Sequence, residues 1–174
     1  MKAGFDCTRK RSGEDLDGLP LRGDTPEPVP DAGAAVISAA REVPGVIEAS
    51  CPGECREGWL FARIEKFRAG QGREAAHAIG TRLATVPHAP GFVVVLAGDV
   101  RTDDLDEAMF HWAASSDASR DWQQVGSILC IDATPKLPGD GTREAPVRAW
   151  PPFMRMSDVV SERVAARWSE YGLA

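Results

Sequence analysis

Apolar and polar positions along this chain fall into two kinds of pattern. Val46 to Cys51 reads as one strand, and Trp59 to Phe67 as another, with side chains assigned to faces at the two-residue period. In the second run Leu60, Ala62 and Ile64 share one face, with charge mixed into the other. The short link between the runs permits a hairpin but no crossover helix, so an antiparallel pair is expected. Phe92 to Ala97 and Ile128 to Ile131 are continuous apolar runs. A central parallel strand needs that pattern when helices cover both its faces.

Helical spacing fills the rest. Asp31 is a good N-cap for a helix carrying Ala35, Val36, Ala39 and Ala40, stopped by Pro44-Gly45. The stretch from Gln71 to Thr85 carries a narrow stripe of Ala76, Ile79 and Leu83. Thr102 or Asp103 is expected to cap a helix whose stripe is Leu105, Ala108, Met109, Trp112 and Ala113. A last helix is expected from Ser157, with the stripe Val160, Val164, Trp168 and Tyr171 and a stop at Gly172. Such a stripe needs something to dock on, either the chain's own sheet or a neighbouring subunit. Two strand–helix–strand units in a row imply right-handed crossovers. The expected fold is therefore α/β: a three-layer α/β/α sandwich with a mixed, partly parallel sheet.

The length of 174 residues suits one domain with length to spare. Nine of the 13 prolines lie in Pro20–Pro30 and Pro135–Pro152, which places that spare length. Residues 1–30 read as an extended arm, 31–134 as the α/β core, and 135–174 as a Pro-rich tail with a docking helix. A net charge of −6 argues against tracking nucleic-acid phosphates. The longest apolar run is too short for a bilayer, and the start lacks a hydrophobic signal region. Four cysteines without regular spacing read as reduced thiols, which points to the cytoplasm.

Candidate chemistry gathers at strand ends. Asp99 and Asp132 both sit where a buried strand finishes, the edge at which open α/β sheets bind ligands. Asp132-Ala-Thr134-Pro-Lys136 brings a carboxylate, a hydroxyl and an ammonium together, a set able to hold a metal or a phosphate. The competing reading is that Asp132 and Thr134 cap a turn while Lys136 is solvated. Gly70-Gln-Gly72-Arg-Glu-Ala75 has the outline of a dinucleotide loop, but the strand before it is too polar for one. Cys51 and Cys55 flank a turn without zinc-site spacing. His111, one turn after Glu107, suits a surface pair; Trp150, before Pro151-Pro152, suits an anchor for the tail. No residue stands out as an activated nucleophile. Phe5-Asp6-Cys7-Thr8-Arg9-Lys10 with Gly13-Glu14 repeats the spacing of Ile131-Asp132-Ala133-Thr134-Pro135-Lys136 with Gly139-Asp140. That echo suggests that the arm forms a similar strand end.

These residues resemble a known family. Ile131-Asp-Ala-Thr-Pro-Lys-Leu-Pro-Gly139, Trp150-Pro-Pro152 and Val164-Ala-Ala-Arg-Trp168 look like the end of UbiD-type decarboxylases. Val43-Pro-Gly-Val46, Ile64-Glu-Lys66, Gly70-Gln71, Phe92–Val95 leading to Asp99, Leu105-Asp-Glu107 and Ser119-Arg-Asp121 fit the same domain in the same order. Three places depart from it: Ala97-Gly98-Asp99 is a reduced acidic run, Ser115-Ser116 stands where an arginine is typical, and the stretch from Asp121 to Gly126 is short. The resemblance implies a carboxy-lyase context in which prenylated flavin mononucleotide, a divalent metal and potassium sit in a different, upstream domain. It implies that this chain binds none of them. Its expected role is a small subunit that gives an assembly and hinge domain to a UbiD-like catalytic chain. The alternative is a homo-oligomeric binding module with a ligand at the Asp99/Asp132 edge.

Overall fold

The computed structural model describes residues 32–55, 58–147 and 156–172. In chain order the elements are α1 (Ala32–Arg41), β1 (Val46–Ser50), β2 (Trp59–Ile64), α2 (Gln71–Leu83), β3 (Phe92–Ala97), α3 (Leu105–Ser115), β4 (Trp122–Val125), β5 (Ile128–Asp132) and α4 (Asp158–Ala166). The five strands form one sheet in the order β1-β2-β3-β5-β4. β2, β3 and β5 run parallel, while β1 and β4 are antiparallel edges. The expected mixed sheet and the antiparallel β1–β2 pair are both present.

Two apolar clusters make the three layers. On one face Val36, Ala39 and Ala40 of α1 and Ala76, Ile79 and Leu83 of α2 cover Leu60, Ala62, Ile64, Val93, Val95, Ile128 and Cys130. On the other, Ala108 of α3, with Leu105, Met109 and Trp112 packed around it, covers Phe61, Val94, Leu96 and Ile131. The central strands are thus buried on both sides, which is why β3 reads as an unbroken apolar run. Burying a side chain such as Phe61 completely contributes about 1.5–3 kcal/mol.

The structure differs from the sequence reading in several local ways. Phe61 gives β2 a second buried face, so β2 is a central strand and not half-exposed. Ala35 and Ala113 are exposed, because each lies at the edge of its helix's stripe. Asp104, not Thr102 or Asp103, caps α3, its carboxylate accepting the Glu107 N–H at 3.1 Å. Thr102 is fully buried. His111 is buried, edge-on to the Phe110 ring, and not at the surface. β4 is an additional strand. Its Trp-Gln-Gln-Val sequence is too polar to stand out, yet it pairs with β5 across Gly126 (φ +58°), and Trp122 stacks on Trp112.

One consequence of the topology positions the site. The chain leaving β2 turns to α2 on one face, and the chain leaving β3 turns to α3 on the other. The carboxyl ends of these neighbouring strands therefore part, and a crevice opens between them.

Beyond β5, a strap of residues 133–147 crosses the sheet end. Residues 5–14 and Trp150 lie outside the described residues. α4 buries none of its residues, and Val160, Trp168 and Tyr171 of the expected stripe stand exposed. Among the described residues no helix is long and apolar enough to cross a membrane.

Candidate functional site: a buried charge clasp and a strand-end crevice

Six charged side chains meet where β5 ends, each almost sealed from solvent: Lys66, Arg120, Asp121, Asp132, Lys136 and Asp140. Asp132 turns the chain, its Oδ1 accepting the Thr134 N–H at 2.9 Å and the Thr134 hydroxyl at 2.5 Å. This is the local side-chain turn that the residue types favour. Lys136 is not solvated. Its ammonium donates to the Asp132 carbonyl at 2.7 Å and lies 3.1 Å from Asp132 Oδ1 and 3.3 Å from Asp121 Oδ1. Burial pulls the Lys136 pKa down, and Asp132 and Asp121 only partly restore it.

Arg120 grips Asp121 with two bonds, of 2.9 and 2.8 Å, and these hold its guanidinium above the ordinary value. The same guanidinium reaches the carbonyls of Ala145 and Pro146 at the far end of the strap. Lys66, just past β2, donates to Thr134 Oγ1 at 3.0 Å and to Asp140 Oδ2 at 2.7 Å. Asp140 also accepts the N–H groups of Gly70 (2.7 Å) and Leu137 (2.6 Å). Burial pushes the Asp140 carboxyl upward, but the Gly70 N–H, the Lys66 ammonium and the Leu137 N–H outweigh it and hold it low. Three cations and three anions thus balance, and the network ties the strap to β2, to the start of α2 and to β5.

The glycines before α2 serve this clasp. Gly70, at φ +78°, turns its N–H toward Asp140. At Gly72 a Cβ would lie 2.2–2.5 Å from the Asp132 carboxylate. Asp140 and Asp132 thus occupy the places that a dinucleotide loop would offer to phosphate. Asp132 Oδ2 is buried with no hydrogen-bond partner and faces the Lys66 ammonium at 3.9 Å.

The crevice lies beside the clasp. Ile64, Glu65 and Lys66 form one wall, Ala97, Gly98 and Asp99 the opposite one, and Pro135 and Leu137 of the strap close it to a volume of about 240 Å³. Asp99 is exposed on its rim. The structure therefore brings Asp132, Thr134 and Lys136 together in a sealed cluster and sets Asp99 in the crevice. Lys66 borders both. Lys66, Arg120, Asp121 and Asp140 were not singled out as site residues from the sequence. Their signal is charge placed directly beside buried apolar strands, in Ile64-Glu-Lys66 and Arg120-Asp-Trp122. Cys55 ends a short 3-10 turn that begins two residues after Cys51, and no group of three or more potential metal ligands occurs among the described residues.

Comparison with known proteins fits this architecture. Residues 31–144 match the family model of the 3-octaprenyl-4-hydroxybenzoate carboxy-lyase C-terminal domain. Among solved structures, the chain is similar to an evolved dimeric form of the UbiD-class enzyme HmfF from Pelotomaculum thermopropionicum in complex with prFMN. The identity is 21%, the TM-score 0.55, and the match covers 80% of this chain and 29% of that one. It is also similar to the vanillic acid decarboxylase of Sedimentibacter hydroxybenzoicus in open form, at 14% identity and a TM-score of 0.53, covering 83% of this chain and 33% of that one. The chain thus spans about a third of the length of these enzymes. The match over the whole core and most of the strap shows that this chain belongs to the UbiD carboxy-lyase C-terminal domain family.

Proposed function

We propose that this chain serves as the assembly and hinge domain of a UbiD-type carboxy-lyase, given as a small subunit to a separately encoded catalytic chain. The reaction is decarboxylation or carboxylation of an aromatic or α,β-unsaturated acid. The observation that carries this reading is the family match over residues 31–144, joined to a terminal helix that leaves its apolar residues uncovered. Val160, Val164, Trp168 and Tyr171 are the docking stripe. The arm (1–30) and the tail (135–174) are the segments that reach a partner, either the catalytic chain or a second copy of this one. We place the complex in the cytoplasm.

The chemistry of the described residues supports a non-catalytic role. The clasp's acids and bases are spent on one another and offer no open nucleophile–base pair. On this reading prenylated flavin, divalent metal and potassium are held by the catalytic chain. The test is the decarboxylase activity of a UbiD-type catalytic chain encoded beside this one, assayed with and without it. Activity that depends on this chain is expected; a partner fully active alone would refute the role.

A second reading rests on the crevice: a homo-oligomeric binding module with its ligand at the strand-end edge. Asp99 then contacts the ligand, while Asp132, Thr134 and Lys136 hold the wall from behind and Trp150 anchors the tail. Ligand binding by the isolated chain favours this reading.

A further inference from the structure

The strap over the sheet end is fastened by charge. None of residues 135–147 joins either apolar cluster. Among the described residues, the bonds that fasten them to the rest of the chain run through four charged side chains. Lys66 holds Asp140 at 2.7 Å, and Asp140 in turn accepts the Gly70 N–H. Lys136 reaches back to the Asp132 carbonyl and to the Asp132 and Asp121 carboxylates. Arg120 donates to the carbonyls of Ala145 and Pro146 at 3.4 and 3.3 Å.

Within itself the strap is bonded independently of the sheet. The Asp140 N–H donates to the Leu137 carbonyl at 2.9 Å, and Asp140 Oδ2 accepts the Leu137 N–H at 2.6 Å. Thr142 and Ala145 bond one another twice, each time at 3.0 Å. At Gly141 a Cβ would meet the Val147 nitrogen at 2.8 Å, so the chain closes tightly on itself here. A surface loop that carries its own bonds moves without unravelling. Separation also costs less than at an apolar face. Parting apolar surfaces exposes both to water. Parting buried ion pairs returns each charge to its hydration shell, which offsets much of the lost attraction. The part of a fold with few buried apolar contacts opens at low free energy.

We propose that the strap is a latch: residues 135–146 swing off the sheet end as one preformed body while the five strands stay folded, and they carry Pro135 and Leu137 away from the crevice that these residues close. The fasteners give way together because one loop carries all of their partners: Lys136 near its start, Asp140 at its middle, and Ala145 and Pro146 at its end. The state of the latch then decides whether the crevice is covered or open. The proposal is independent of assembly with a catalytic chain, and its failure would leave that reading intact.

The test is native-state hydrogen exchange of the full chain, followed amide by amide at constant pH in urea below the unfolding transition. The Gly70 N–H reports on the latch, since Asp140 is its partner, and the β3 amides report on the sheet. Three forms are compared: the unaltered chain, V94A and R120K. Val94 lies in the core under α3, outside the strap. V94A is expected to speed β3 exchange at least about tenfold and to leave Gly70 exchange unchanged, because the core stays intact when the latch opens. Arg120 holds Ala145 and Pro146, not Gly70 or Asp140, and a lysine keeps its charge without its planar fork. R120K is expected to speed Gly70 exchange about fivefold, since the whole strap moves as one body. An A97C thiol in the crevice wall, its labelling mapped by peptide mass spectrometry, is expected to react faster in R120K by the same factor. The V94A comparison stands whether or not R120K folds. Equal acceleration of Gly70 and β3 by V94A would mean that the strap opens only when the sheet does. Gly70 exchange indifferent to R120K would mean that this end frays alone, and A97C labelling indifferent to R120K would leave the crevice outside the movement. Each of these three results would overturn the proposal.

Discussion

Lys66 is the cation on which the clasp turns. Its ammonium is the cationic partner of Asp140 and faces the open oxygen of Asp132. Removing it leaves a buried excess of negative charge. K66M is therefore expected to cost about 3–5 kcal/mol in urea unfolding, the range for breaking a buried pair from one side. A loss below about 1 kcal/mol would mean that the network is not sealed as described. Asp140 contributes to the pH response. Its folded pKa lies below the unfolded value, so its contribution is present above about pH 3.9 and is lost as pH falls through the folded value. D140N should be less stable than the unaltered chain at pH 7, and the gap should close in acid. A gap that widens in acid would reverse the sign. At this scale the sequence reading found one side of the clasp. Asp132, Thr134 and Lys136 lie close together in the chain, so their spacing is visible. Lys66 meets Asp140 across 74 positions, and nothing local marks that meeting.

The elements were the most legible level. β3 is an unbroken apolar run and α2 carries a stripe at helical spacing, and both appear where the pattern puts them. β4 escaped because an edge strand of four residues with two glutamines carries no apolar run. His111 was misplaced because its spacing from Glu107 fits a surface pair as well as a buried position. The packing of α2 on the sheet turns on another close approach. At Gly80 a Cβ would meet the Cys130 sulfur at 2.3 Å and Val125 Cβ at 3.2 Å. G80A should therefore destabilise the chain by about 1–3 kcal/mol, despite alanine's better helix propensity. C130A in the same chain should return part of that loss; no recovery in the double variant would place the strain elsewhere. The Cys130 thiol, pushed up to about 11 by burial, should stay unlabelled by thiol reagents until the fold opens.

Taken whole, the molecule is a closed sandwich with an uncovered terminal helix. The clasp holds the strap to the sheet end through Asp140 and, by way of Arg120, through the carbonyls of Ala145 and Pro146. The strap is thus held to the core as far as Pro146. Fold class was legible because strand and helix periods alternate along the core. The sealing of Asp132, Thr134 and Lys136 was not, because burial depends on what the strap folds against. On the proposed role, α4 and residues 167–172 form an assembly surface. Its most direct test is the mass, by light scattering, of this chain co-expressed with a UbiD-type catalytic chain. The account predicts a hetero-oligomer that V160D/W168D abolishes while this chain's own unfolding midpoint is unchanged, because both residues are exposed. A hetero-oligomer that survives V160D/W168D, or separate elution of the unaltered chains, would contradict it.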